Sequence, residues 1–320
     1  MTADPRAFLA DIEAKPAALA RLGEALRSGN PWAAVPARAR RVVLLGMGSS
    51  RYAAGVAALR LRAAGIDAVA EYASAEIGWP PAPDTLVVAI SASGESAETI
   101  AAAERHRGRS RLVALTERPD STLASLADAV VQLLAGEERG GVACRSFQHT
   151  GLLLRALESR LGGRPIEMVA LCERVAAATA DLLDRRPEWL PDVAAALDGR
   201  DGVYLLAPAE RLASAEQGAL MLREGPRRPA VACETGDWSH VDVYLAKALD
   251  YRVLLFAGSR REPAALEWLA KRGSTIVSVG ASVPGAAVTV RHAGDDEVDV
   301  ALHGEILVPE LIAATWWAAA

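Results

Sequence analysis

Little in this sequence suits a membrane, a secreted scaffold or a nucleic-acid surface. No run reaches the roughly 18 uncharged apolar residues of a membrane-crossing helix, and Met1 to Arg27 mixes acids with bases instead of setting a basic stretch before an apolar one. A cytoplasmic protein with no membrane partner is expected. Cysteine is scarce: Cys144, Cys172 and Cys233 are odd in number, far apart and without C-x-x-C spacing, so neither a disulfide framework nor a zinc site is expected. No metal and no cofactor are implied. Aromatic residues make up only 5% of the chain, and no basic run is interleaved with them. With a formal net charge of −5, general affinity for nucleic acid is excluded, and an anionic ligand would need locally placed donors. Lysine is nearly missing. Of 35 basic residues, only Lys15, Lys247 and Lys271 are lysines.

What is present is a hydrophobic chain, 51% over 320 residues, long enough for two α/β units with buried sheets. Residues 5–29 read as an amphipathic helix, with Phe8, Leu9, Ile12, Leu19, Leu22 and Leu26 at helical spacings. The run Arg41 to Leu45 is short, continuous and apolar, as in a strand covered on both faces of a parallel sheet. A glycine-rich turn and an Ala/Leu helix follow (about 49–64), then strands near 68–72 and 85–90, a helix over 97–106 and a strand at 111–115. Such alternation predicts a doubly wound parallel sheet.

The same order returns later. Val42-Val-Leu-Leu-Gly-Met-Gly-Ser-Ser-Arg aligns without gaps on Val203-Tyr-Leu-Leu-Ala-Pro-Ala-Glu-Arg-Leu, and Val87-Val-Ala-Ile-Ser-Ala-Ser-Gly-Glu-Ser is answered by Val253-Leu-Leu-Phe-Ala-Gly-Ser-Arg-Arg-Glu. Two like domains are the simplest account. The expected layout is an N-terminal helix (1–34), a first domain (35–165), a helical linker (166–199) holding Pro187 and Pro191, and a second domain (200–320). His106 and His292 read as surface residues, His149 and His303 as packed helical ones, and Trp316-Trp317 as closing the second core or a subunit contact.

Ser91-Ala-Ser-Gly-Glu-Ser96 follows a buried strand and precedes a helix. Three hydroxyls, a glycine that permits close backbone approach and the free N–H groups of a helix start can cradle a phosphate; they can equally form a turn whose serines cap the helix. Gly46-Met-Gly-Ser-Ser50 adds a second hydroxyl-bearing turn. Glu71 could serve as the acid of a dinucleotide fingerprint, but the third glycine of that fingerprint is missing, which sets a dehydrogenase reading aside. Two such turns at the ends of neighbouring strands point to one crevice, where ligands of open α/β sheets bind.

These motifs resemble the double-domain branch of the sugar-isomerase (SIS) family, which includes the isomerase half of glucosamine-6-phosphate synthase. The likeness rests on Gly46 to Ser50, Ser91 to Ser96, Thr116 to Leu126, Gly141-Val-Ala143, Glu216 to Glu224 and Gly236-Asp-Trp-Ser-His240. It implies two flavodoxin-like α/β domains in tandem and a homodimer. A phosphosugar would be held by Gly48, Ser49, Ser50, Ser91, Ser93, Gly94, Ser96 and Val142, with Glu224 as general base and His240 assisting ring opening. Aldose–ketose interconversion needs one carboxylate over the C1–C2 edge and a group that exchanges protons near neutral pH, and these residue types suit those roles. On the residues alone, Glu224 also reads as a solvated helix glutamate and His240 as a satisfied, partly buried histidine.

The chain departs from the family in ways that shape the expectation. It begins Met1-Thr2 without a catalytic cysteine, so glutamine is not expected to supply ammonia unassisted, and no lysine matches the family's C-terminal tail. Met221 stands at a frequent lysine, and Ala92 at a frequent glutamine. Ala257 to Glu262 lacks the hydroxyl pattern, so one phosphate site per chain is expected, in the first half. The function implied is a hexose 6-phosphate isomerase or amino-sugar-phosphate deaminase, with a non-catalytic phosphosugar sensor as the alternative.

Overall fold

The computed structural model of the chain describes residues 4–163 and 165–320. It packs as two compact units that are not consecutive in sequence: a first unit of Ala18–Glu137 and Arg145–Cys172, and a second made of the chain up to Ala17, Glu138–Cys144 and Glu173–Ala320.

The first unit holds strands β1 (Arg41–Gly46), β2 (Asp67–Tyr72), β3 (Thr85–Ile90), β4 (Arg111–Thr116) and β5 (Ala129–Gln132). They form one parallel sheet in the order β2-β1-β3-β4-β5. The helices that connect or cover them are α3 (Gly48–Ala63), α4 (Ala97–His106), α5 (Thr122–Leu126) and α6 (Arg145–Gly162). Val42, Val43, Leu44 and Leu45 are fully buried, as are Val87 and Val88, because helices cover both faces of a parallel sheet and leave the central strands no polar side. Each fully buried side chain of this size contributes about 1.5–3 kcal/mol.

The second unit repeats the plan. Strands β6 (Val203–Ala207), β7 (Ala230–Glu234), β8 (Arg252–Phe256), β9 (Thr275–Val279) and β10 (Ala286–Val290) run in the order β10-β9-β8-β6-β7, which read from the other edge is the topology of the first sheet. All its pairings are parallel. Its helices include α8 (Arg186–Leu197), α9 (Leu212–Glu224), α10 (Thr235–Trp238), α11 (Glu262–Lys271), α12 (Val298–Gly304) and α13 (Leu307–Ala318). β1 answers β6 and β3 answers β8, as the internal repeat required, so the fold is two doubly wound α/β sheets in tandem.

The N-terminal segment differs from the single helix expected over 5–29. α1 (Pro5–Glu13) and α2 (Lys15–Ser28) are separate, broken where Pro16 lacks the N–H that would continue the ladder and its ring crowds the carbonyl one turn back. α1 packs on α13, with the Phe8 and Trp317 ring centroids 5.9 Å apart. Trp316 belongs to the same core, in line with the closing role expected of the pair. The remaining helix, α7 (Met168–Asp184), falls with α8 in the stretch expected as a linker, yet from Glu173 onward both belong to the second unit; in α8 Pro187 takes the tolerated first turn and Pro191 lies inside without ending it. No helix among the described residues is long and apolar enough to cross a membrane.

Two histidines are not where the sequence suggested. His106 is 2% exposed and its Nδ1 lies 3.2 Å from Ser110 Oγ; His292 is 5% exposed, its Nδ1 3.1 Å from the Ala293 carbonyl. Burial lowers the pKa of both. His149 is buried as expected, its Nδ1 2.9 Å from the Leu133 carbonyl.

Candidate functional site

In the first unit, β1 and β3 are neighbours, yet the chain leaves β1 toward β2 on one side and β3 toward β4 on the other. This reversal opens a crevice outside their carboxyl ends, where the sheet topology places ligands. Both hydroxyl-bearing turns lie there. Gly48 has φ +47, a left-handed conformation that glycine adopts without penalty, and it leads directly into α3. Met47, the residue that caps α3, offers no side-chain acceptor; its carbonyl accepts from Ser50 N at 3.1 Å, so the Gly48 and Ser49 N–H groups stay available at the positive end of the helix. Ser49 and Ser50 are half-buried, and among the described residues neither hydroxyl has a hydrogen-bond partner in the protein.

The second turn is held by its own serines. Gly94 N donates to Ser91 Oγ at 3.2 Å, and Glu95 N to Ser93 Oγ at 3.2 Å. Ser96 Oγ accepts from Thr99 N at 3.3 Å and caps α4. The capping interpretation of Ser96 is thus realised, while Ser91 and Ser93 order the backbone between strand and helix. Ser91 is buried, Ser93 exposed.

Gly94 has φ +68, and a Cβ there would stand 2.0 Å from Ser121 Oγ and 2.3 Å from Ser121 Cβ. Gly94 O accepts from Leu123 N at 3.0 Å. On the other side, Glu95 accepts from Thr122 N at 2.9 Å and from Thr122 Oγ1 at 2.8 Å; these bonds hold its carboxyl below the usual range. Thr116 Oγ1 donates to the Ala92 carbonyl at 3.2 Å. The segment Thr116 to Leu126 therefore acts as a clamp that fixes the turn, a positioning role for Thr116, Ser121 and Thr122 that sequence spacing alone does not reveal.

Glu71 is occupied structurally. Its carboxylate accepts from Trp79 N at 3.0 Å, consistent with setting the dinucleotide reading aside.

Val142, Glu224 and His240 belong to the other unit. Val142 is 4% exposed within the apolar core, so its backbone is what it can offer a ligand. Close by in that unit, Gln217 Nε2 donates to the Ala143 carbonyl at 2.8 Å and Glu138 accepts from Cys144 N at 2.7 Å. Glu224 is the last residue of α9 and exposed. Desolvation by the surrounding chain raises its carboxyl pKa, opposed by Arg223. His240 is exposed after α10 and lines a cleft of about 780 Å³ with Glu234, Asp237, Ser239 and Arg261.

A deeper pocket of about 880 Å³ lies at the carboxyl ends of β6, β8 and β9 in the second unit. Its arginines come from three separate segments, Arg211, Arg260-Arg261 and Arg291, which spacing in the sequence does not bring together.

Comparison with known proteins agrees with this architecture. Residues 37–160 match the model of the SIS domain. The glutamine–fructose-6-phosphate aminotransferase [isomerizing] of Gloeobacter violaceus is 28% identical over 218 residues, covering 64% of this chain and 36% of that protein. Its counterpart from Pyrobaculum aerophilum is 32% identical over 218 residues, covering 65% and 36%. The chain thus spans little more than a third of the length of these relatives. Among solved structures, the C-terminal domain of glucosamine-fructose-6-phosphate aminotransferase from Francisella tularensis superposes with TM-score 0.79 at 16% identity, covering 98% of this chain and 96% of that one. Tagatose-6-phosphate ketose/aldose isomerase from Escherichia coli gives 0.78 at 16%, covering 100% and 96%. Glucosamine-6-phosphate deaminase from Thermotoga maritima gives 0.73 at 17%, covering 98% and 94%. Residues 37–160 thus carry a SIS domain, and the sheet of the second unit repeats the topology of the first.

Proposed function

We propose that the chain binds a hexose 6-phosphate at the β1/β3 crevice and acts on it as an aldose–ketose isomerase or an amino-sugar-phosphate deaminase. One observation carries the reading: the Gly46–Ser50 and Ser91–Ser96 turns stand at the carboxyl ends of two paired strands, with the Ser49 and Ser50 hydroxyls unpartnered beside the start of α3. A phosphate dianion there accepts from hydroxyls and first-turn N–H groups together. The names of the aminotransferase relatives and of the isomerase and deaminase neighbours favour a sugar phosphate over other phosphate esters.

In this reading Glu224 is the general base. It takes the C2 proton of the open-chain sugar, leaving an enediol, and returns a proton to C1. A carboxyl with a raised pKa holds a proton nearer neutral pH, as a residue that alternates between base and acid requires. His240, exposed on the second unit, assists ring opening, reaching the site of a neighbouring subunit in a homodimer.

The test is proton exchange at C1 of fructose 6-phosphate and at C2 of glucosamine 6-phosphate in deuterated water, followed by NMR, for the wild type and Glu224→Gln. Exchange with either sugar that disappears in the variant supports the enzyme. Binding without exchange in the wild type removes the enzymatic reading for these sugars and leaves a phosphosugar sensor.

A further inference from the structure

The second unit has its own topological switch point. β6 lies between β7 and β8, and the chain leaves β6 and β8 in opposite directions along the sheet, as it leaves β1 and β3 in the first. The pocket of about 880 Å³ opens at this point, lined by Arg211, Ser259, Arg260, Arg261 and Arg291 among others. Its position is that of a ligand site, and its size lies within the range of about 300–1,000 Å³ usual for small molecules.

Its lining carries four arginines and four carboxylates, Glu210, Glu234, Asp295 and Asp296, but they are engaged unequally. Arg211 is 6% exposed and donates to Glu305 Oε2 and the Ala257 carbonyl, so a rigid guanidinium with donors to spare forms part of the wall. Glu234 is spent on the start of α10, accepting from Gly236 N and Asp237 N at 2.8 Å each. Asp295 is engaged by Arg291 at 2.5 and 2.8 Å, and Glu262 by Gly258 N at 2.7 Å. Glu210 and Asp296 are exposed to solvent. Arg260 and Arg261 are exposed too, and among the described residues neither has an ion-pair partner. A buried arginine and two unpaired arginines therefore converge on one cavity.

We propose that this pocket is a second anion site, for the phosphate monoester of a small metabolite of sugar size. Arg260 and Arg261 grip the phosphate as planar, bidentate donors, and Arg211 fixes the wall behind them. Where the first unit uses hydroxyls, the second uses guanidinium groups, so the site is independent of the crevice proposed above.

Calorimetric titration of the full chain with fructose 6-phosphate and, separately, inorganic phosphate tests this, using Ser91→Ala/Ser93→Ala, Arg260→Ser/Arg261→Ser, and a control lacking two remote surface arginines, Arg38→Ser/Arg107→Ser. The expected result is residual, salt-weakened binding in the serine double variant and a loss of that component, about tenfold or more, in the Arg260/Arg261 variant. Wild-type stoichiometry and affinity in the Arg260/Arg261 variant overturn the proposal, and so does an equal loss in the control, which marks a general charge effect. Failure of the first site alone shows differently: the serine double variant then binds as the wild type does, while the Arg260/Arg261 variant still loses affinity.

Discussion

Gly94→Ala is the sharpest test of how the Ser91–Ser96 turn is held. The residue sits at φ +68, where a side chain costs about 1–2 kcal/mol. The new Cβ would also lie 2.0 Å from Ser121 Oγ and 2.3 Å from Ser121 Cβ, so the α5 cap must move, an overpacking cost of about 1–3 kcal/mol. The sum is about 2–5 kcal/mol. For a unit of this size, roughly 2–4 °C of melting temperature is lost per kcal/mol, so a fall of at least ~4 °C is expected in circular dichroism melts. Ser121→Gly removes both clashing atoms while glycine still serves as a tolerable cap. The double variant Gly94→Ala/Ser121→Gly should therefore recover the steric part and leave about 1–2 kcal/mol. An alanine variant that melts within about 1 °C of the wild type, or a double variant no better than the single, would refute this account of the turn.

Ser93→Ala removes a hydroxyl that orders Glu95 N and would face the phosphate; affinity for fructose 6-phosphate, read by titration, should fall about tenfold or more, the worth of one hydrogen bond to a charged group. The buried pair Lys15–Glu310, both side chains fully enclosed and 2.5 Å apart, gives a pH test. Burial raises the Glu310 carboxyl from 4.5 to about 7, so the folded state binds the proton more tightly than the unfolded one, and the stability this supplies below pH 4.5 is lost as pH rises to 7. Lys15→Met should thus cost about 3–5 kcal/mol at pH 8 and clearly less at pH 5, where Glu310 stays protonated; equal urea midpoint shifts at both would count against it. Cys144 and Cys172 are buried, and burial pushes the Cys233 thiol up to about 12, so an aromatic disulfide reagent at pH 8 should label no thiol within minutes until denaturant is added.

The central strands of both sheets were legible in the chain before it folds, while β5, β7, β9 and β10 were not. A strand covered on both faces must be apolar at every position, so β1, β3, β6 and β8 stood out as continuous runs, and their repeat announced two units of one topology. The turns Gly46–Ser50 and Ser91–Ser96 were visible as glycine and hydroxyls between a strand and a helix, but the same residues also suit helix caps, as Ser96 is. Folding settled what depends on neighbours distant in sequence. It split the N-terminal helix at Pro16 and joined α1 and Glu138–Cys144 to the second unit, because Phe8 and Ile12 are buried in the same core as Val142 and Trp316. It enclosed His106 and His292, whose neighbours in sequence look solvated, and brought Ser121 against Gly94. It also gathered Arg211, Arg260, Arg261 and Arg291 around one pocket, since the carboxyl ends of parallel strands meet only when the sheet is formed.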